Sequence, residues 1–207
     1  MKPEMNMGIV DPYTHMLDIM AVYVQQSYDN MEACPENDWT LLFCERMRAH
    51  TNLNDAIKGI ANKRVRGSLD HAMTETLAMQ MRALLARKRP DLTVHSEKTI
   101  PLKGVKPDIS VWRGEDCLAV VECKVQLGWS RGAVAKDFIA REVKLVGAGV
   151  SSANIWHVVA SQCNWERDGN TKWGDRWRVV GLEYTGHWKP ATVIHPLEPL
   201  YDVLVRL

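Results

Sequence analysis

Lys106-Pro107-Asp108-Ile109-Ser110-Val111-Trp112-Arg113-Gly114-Glu115-Asp116-Cys117-Leu118-Ala119-Val120-Val121-Glu122-Cys123-Lys124-Val125-Gln126 is the stretch that decides the fold. Two β-type runs, 108–113 and 117–126, flank the turn signal Gly114-Glu115-Asp116, so the stretch reads as a β-hairpin. Period-2 alternation along the second run puts Glu122, Lys124 and Gln126 on one face. A buried strand should stay apolar to its end, so three polar side chains on one face call for a chemical reason. A three-residue loop at 114–116 pairs Arg113 with Cys117 and Asp108 with Glu122. That register sets two carboxylates side by side, their Cβ atoms ~5 Å apart.

Two carboxylates so placed repel each other unless a cation lies between them. Mg²⁺ suits the pair, since it takes hard oxygen ligands, few of them from protein, and completes its shell with water and substrate phosphate; Mn²⁺ is expected to substitute. Lys124, beside them, is placed to orient or help deprotonate an attacking water and to offset charge building on a phosphate. Gln126, with Lys106 and Arg131, is read as contacting the substrate.

Outward from the hairpin, Ser68 is a candidate N-cap for a helix to about Lys88, with Leu69, Met73, Leu77, Met81 and Leu84 as its buried stripe and Pro90 as its stop. Strand-like runs follow at 93–100, 108–113 and 117–126, then a helix at 131–146 ending at Gly147-Ala148-Gly149, and strands at 154–160 and 177–184. Helix, three strands, helix, strand is an α/β order with a sheet flanked by helices. Residues 1–67 read as an N-terminal helical extension. One helix starts at Asp11-Pro12 and carries Met16, Leu17, Met20, Tyr23 and Val24. A second covers 36–50 with Trp39, Phe43 and Met47, and a short third follows Asn54. Residues 68–207 then form the core with a C-terminal β/aromatic extension, the whole being one compact domain.

Pro107-Asp108, thirteen intervening residues, and Glu122-Cys123-Lys124 resemble the PD-(D/E)xK phosphodiesterase superfamily of restriction-endonuclease-like nucleases. The resemblance covers about 68–160 by element order and includes the motif itself. It implies a mixed central sheet, a metal held by Asp108, Glu122 and the backbone carbonyl of Cys123, and Lys124 as the catalytic lysine. Many members of that family add a Glu from the helix before the sheet. Glu75 matches by position, although helical geometry sets it nearly opposite the Met73/Leu77/Leu84 stripe, and Glu97 on the first strand is its rival. The implied activity is magnesium-dependent hydrolysis of DNA phosphodiester bonds, in restriction, recombination, repair, or phage or mobile-element DNA processing. A non-catalytic nucleic-acid-binding module on the same fold and an RNA-directed nuclease are the alternatives.

The composition agrees with a globular chain. Of 207 residues, 46% are hydrophobic and 25% charged, which excludes a mainly disordered or collagen-like protein. No run of about 18 apolar residues is present, and Met1–Asn6 lacks the apolar run of a signal peptide. Five scattered cysteines without a CxxC pair read as reduced thiols, and a cytoplasmic protein is expected. Cys123 should point away from Glu122 and Lys124 as a small buried side chain. The seven His show no zinc-ligand spacing.

The net charge is +1, but it is unevenly spread. Residues 1–57 hold 3 Lys/Arg against 9 Asp/Glu, residues 58–106 hold 11 against 4, and residues 107–207 are balanced. The basic middle offers Lys63, Arg64 and Arg66, or Arg87, Lys88 and Arg89, as phosphate contacts, or else as solvated helix faces. The Trp-rich segment 165–177 interleaves aromatics with cations, which suits either stacking on bases or packing back on the sheet. Double-stranded DNA is the expected partner. Cutting both strands of a duplex calls for two active sites, hence a homodimer, with the acidic N-terminal helices as its candidate surface.

Overall fold

A computed structural model describes residues 22, 25–26, 29–31, 38–61, 68–125, 131–161, 177–184, 188–190 and 196–207, with side chains described outside 51–70, 131–135, 161 and 177–190. Met1–Cys34 forms one compact unit and Pro35–Leu207 a second. The second unit carries helix α1 (Trp39–Ala61), helix α2 (Ser68–Lys88), strands β1 (Thr93–Ser96), β2 (Ile109–Arg113) and β3 (Asp116–Lys124), helix α3 (Arg131–Gly147), strands β4 (Ile155–Ser161), β5 (Trp177–Tyr184) and β6 (Trp188–Pro190), and helix α4 (Glu198–Arg206). The fold is α/β, a mixed sheet flanked by helices, and the expected order of helix, three strands, helix and strand runs from α2 to β4.

The six strands lie in sequence order. β1, β2 and β3 form an antiparallel meander, β3 pairs parallel with β4, β4 parallel with β5, and β5 antiparallel with β6. Parallel neighbours need a crossover, and α3 supplies it between β3 and β4. Side-chain alternation then divides the sheet into two faces. Val120 and Trp112 pack with Leu145 and Ala148 of α3 and its following turn, together with Ile100, Val105, Val150 and Ile155. Cys123, one residue out of phase with Glu122, contacts Thr74 of α2 instead. The strand therefore aims Glu122 at α3 and Cys123 at α2.

On the α2 side, Met73, Leu77, Met81 and Leu84 are buried, as the spacing of apolar residues requires. α1 packs on α2 through Trp39, Phe43 and Met47, all buried. Two corrections arise here. The expected second and third helices are one continuous helix, because nothing between Arg48 and Ala61 breaks the backbone hydrogen-bond ladder. The C-terminal α4 was not anticipated; its signals are Pro199 in the first turn and the stripe Leu197, Leu200, Tyr201, Leu204, all buried.

α4 is tied to α1 and α2 by polar groups that burial would otherwise leave unpaired. Glu198 accepts hydrogen bonds from Thr40 N (3.2 Å) and Thr40 Oγ1 (2.6 Å), and Thr40 Oγ1 in turn accepts from Leu197 N at 2.8 Å. Tyr201 donates its hydroxyl proton to Gln80 Oε1 at 2.7 Å while Gln80 Nε2 donates to the Trp39 carbonyl at 2.8 Å. Tyr201 also meets the Trp39 ring edge-on at 5.2 Å between centroids. No helix among the described residues is long and apolar enough to cross a membrane. The expected helix from Asp11-Pro12, Gln126, the basic stretch 63–66 and the Trp-rich segment 165–176 lie outside the described residues.

Candidate active site

The hairpin brings Asp108 to Glu122, but by a different route from the expected one. Arg113 pairs with Asp116, not Cys117, so the turn is only Gly114-Glu115, with Gly114 at a φ of 58° that tight hairpin turns favour and that costs glycine little. The ladder then skips Leu118: Trp112 faces Cys117 and Val111 faces Ala119. This bulge adds one residue to β3 and offsets the shorter turn. Beyond it the register runs Ser110 to Val120 and Ile109 to Val121, which sets Asp108 one step before β2 on the face that Glu122 shares. The Leu118 carbonyl accepts a hydrogen bond from Asn154 Nδ2 at 3.0 Å, fastening the bulge to the turn that precedes β4.

Asp108 Oδ2 accepts a hydrogen bond from the main-chain N–H of Cys123 at 2.7 Å. The Asp108 carbonyl accepts another from Glu97 N at 3.0 Å. The segment is thus pinned on both sides, to β3 and to the end of β1. Glu97 itself sits at a φ of 52°, in the left-handed region that a non-glycine residue enters at a cost. Its carboxylate pairs with Lys106 Nζ at 2.6 Å, and the cation holds that carboxyl below its ordinary range.

Glu122 is only 8% exposed. Burial, and next the neighbouring Asp108 charge, push its carboxyl up to about 7, against the opposing pull of Arg141 and Lys124. Arg141 of α3 donates from Nε to Glu122 Oε1 at 2.9 Å, and from Nη2 to the Lys106 carbonyl. Lys124, two residues along β3, is exposed. Opposite Glu122 on β4 stands His157, fully buried, its Nε2 3.4 Å from Glu142 Oε1 and its ring 4.5 Å from that of Phe138. Sequence reasoning missed both Arg141 and His157, which α3 and β4 deliver from outside the hairpin. Arg141 does carry a signal: it lies in the run Phe138, Arg141, Leu145, Ala148, whose spacing defines the buried face of α3, so a charge stands in an apolar stripe.

The other expected site residues are placed as follows. Glu75 is exposed and faces Arg82, 3.8 Å away, and Glu97 is engaged by Lys106. Among the described residues no group of three or more His, Cys, Asp or Glu side chains gathers around one point, so neither glutamate joins Asp108 and Glu122. Lys106 is exposed, next to the site. Arg131 opens α3, with its side chain outside the described set. Of the basic run at the end of α2, Arg87 lies over the Trp39 ring at 5.5 Å and donates to the Ala83 carbonyl. Arg89 pairs with Asp91 at 2.8 Å and donates to the Val205 carbonyl. These two arginines thus have structural partners within the fold. Cys44, Cys117 and Cys123 are free thiols, each raised by burial above the ordinary range, so none is an activated nucleophile.

The two carboxylates supply hard oxygen donors of the kind a divalent cation takes, two side chains rather than three among the described residues. Each carboxylate commits one oxygen to the protein, and Asp108 Oδ1 and Glu122 Oε2 receive no hydrogen bond among the described residues. The buried Glu122 is held out of its ordinary ionisation range partly by Asp108, a conflict that a cation shared by the two would relieve. No protein-family model, characterised protein or solved structure matches the chain.

Proposed function

We propose that the protein is a metal-dependent nuclease that hydrolyses DNA phosphodiester bonds, with a restriction-endonuclease-like core formed by α2 to β4. The observation that carries this reading is the placement of Asp108 beside Glu122 on one sheet face, with exposed Lys124 two residues further along the same strand. Oxygens of Asp108 and Glu122, and the Cys123 carbonyl, would hold Mg²⁺ or Mn²⁺. When bound, the ion supplies Lewis-acid polarisation of the phosphate and raises the acidity of water.

The rest of the chemistry falls to the chain's own groups. Lys124 offers an ammonium to the attacking water and to the phosphate oxygens, where negative charge builds in the transition state. As the water oxygen bonds to phosphorus and releases one proton to solvent, the phosphorus–oxygen bond to the leaving group breaks and the leaving oxygen takes up a proton from solvent, so the hydrolysis balances as one water consumed. Asp108 is kept from swinging away by the Cys123 N–H, and Glu122 by Arg141. Lys106, at the rim, along with Gln126 and Arg131, is assigned to the substrate phosphates. The duplex partner and a homodimeric assembly belong to the same proposal.

One observation favours the alternative of a non-catalytic binding module: the Arg141–Glu122 ion pair offsets the Glu122 charge within the chain. Incubation with supercoiled, linear, single-stranded and branched DNA, and with RNA, with and without Mg²⁺ or Mn²⁺, decides between them. Metal-dependent cleavage of DNA supports the nuclease, and cleavage of RNA alone redirects it. Binding without cleavage under any metal leaves the module.

A further inference from the structure

We propose that Arg141 is a positioning residue that sets the separation of the Asp108 and Glu122 carboxylates for a divalent cation, by gripping Glu122 and the Lys106 main chain with one guanidinium. This rests on the metal site of the nuclease reading and concerns how that site is built. The two bonds come from Nε and Nη2, which lie along one edge of the planar guanidinium. Acceptors gripped by one edge must stand side by side. Glu122 Oε1 is therefore held next to the carbonyl of Lys106, two residues before Asp108.

The grip closes a ring of constraints. Asp108 is bonded to the Cys123 amide on β3, Glu122 precedes Cys123 on that strand, and Arg141 returns from α3 to both segments. α3 is a firm base for this, because Leu145, one turn further along the same helix face, is fully buried with Trp112 and Val120. Arg141 and Glu122 are shielded, at 28% and 10% side-chain exposure, so their pairing is not a solvent-screened surface contact. Glu122 presents its other oxygen, Oε2, to the cation. An ammonium on a flexible stem could offset Glu122 but lacks the rigid planar fork that fixes a carbonyl and a carboxylate side by side, which is the property that separates arginine from lysine here.

The test is Mn²⁺ binding, followed by calorimetry and by electron paramagnetic resonance, on the full chain at pH 8, for the wild type, Arg141→Lys and Arg141→Ala, with thermal melts alongside. The expected result is a 10–100-fold loss of Mn²⁺ affinity in Arg141→Ala, the scale of removing a partner that orients a metal ligand, and a comparable loss in Arg141→Lys. Arg141→Lys keeps a positive charge beside Glu122, so it keeps the test open should Arg141→Ala fail to fold. Wild-type affinity in Arg141→Lys reduces the role to charge and overturns the proposal. Tighter binding in Arg141→Ala makes the arginine a competitor of the metal and overturns it too, as does a lowered melting temperature with unchanged affinity. A wild type that binds no Mn²⁺ overturns the metal reading itself, whereas a wild type that binds alongside equal variants overturns this inference alone.

Discussion

The carboxylate of Asp108 is hydrogen-bonded, at 2.7 Å, to the main-chain amide of Cys123, the residue that separates Glu122 from Lys124. One acid is thus fixed to the backbone of the strand that carries the other. Asp108→Asn keeps an oxygen for that amide and should fold with a near wild-type melting temperature, yet lose metal binding and cleavage together. It also removes the charge that repels Glu122, so the Glu122 carboxyl should titrate lower than about 7. Carboxyl carbon chemical shifts across a pH series would show the change, and an unmoved Glu122 would mean that the Asp108 charge has no part in its titration.

Lys124 is no metal ligand in the proposed mechanism; its role is confined to the transition state. Lys124→Ala should lower single-turnover cleavage by ~100-fold or more, the scale of losing one preorganised electrostatic contact, with Mn²⁺ affinity little changed. Cleavage at the wild-type rate would remove Lys124 from the chemistry.

The titration of Glu122 gives the metal-free protein a distinctive pH profile. A carboxyl raised from its usual range to about 7 favours folding in its protonated form. That contribution is fully present below the unfolded value, near pH 4.5, and is lost as pH rises through 7. Mg²⁺ binds the ionised form, so the melting-temperature gain on adding Mg²⁺ should be larger at pH 8 than at pH 6. Asp91 acts in a separate window. Arg89, with help from Arg113, holds its carboxyl down to about 2, so its contribution is present above pH 4 and lost as pH falls towards 2. Thermal melts from pH 2 to 9, with and without Mg²⁺, read both, and a Mg²⁺ gain that is larger at pH 6 would refute the Glu122 assignment.

Tyr201→Phe removes the donor to Gln80 Oε1 and leaves a buried acceptor unpaired between α2 and α4. A loss of about 1–3 kcal/mol in urea unfolding is expected. Cleavage per folded molecule should be little changed, because the bond lies on the α2 side of the sheet, where Tyr201 neighbours the Cys123 side chain, and not on the face that carries Asp108 and Glu122. Destabilisation below about 0.5 kcal/mol would show that water or a rearranged Gln80 takes up the slack.

Much of this was legible in the chain because the informative signals are local. The apolar periods of Met73 to Leu84 and of Val111 to Val121 mark one helix and one hairpin, and Ser68 and Pro90 bracket the helix closely. The facing of Asp108 and Glu122 came out as expected although the turn has two residues where three were expected, because the Leu118 bulge adds the residue that the turn lacks. Bulges leave no periodic trace in a strand this apolar. The pairing of Arg141 and His157 with Glu122 was not legible, since it exists only once α3 crosses over and β4 docks; the charge of Arg141 within the apolar stripe of α3 marks the residue but not its partner. Glu75 illustrates the converse. Its position on α2 matched a motif, but helical phase sent it to solvent and Arg82.

The parallel pairing of β3 with β4 has a kinetic consequence. The hairpin that joins Asp108 to Glu122 closes through a tight turn, an event on the ~1–10 μs scale, whereas β4 must be brought back across the whole of α3 before Arg141 and His157 are in place. On this topology we expect the two carboxylates to meet early in refolding and to face each other with Lys124 nearby but without the Arg141 counter-charge until the crossover docks. Pulse-labelled hydrogen exchange should then show the amides of Ile109 and Val121, which face each other across the hairpin, protected before those of Val158 and Val159. Refolding in Mn²⁺ should hasten the early phase, by giving the carboxylates the counter-charge that Arg141 brings only later.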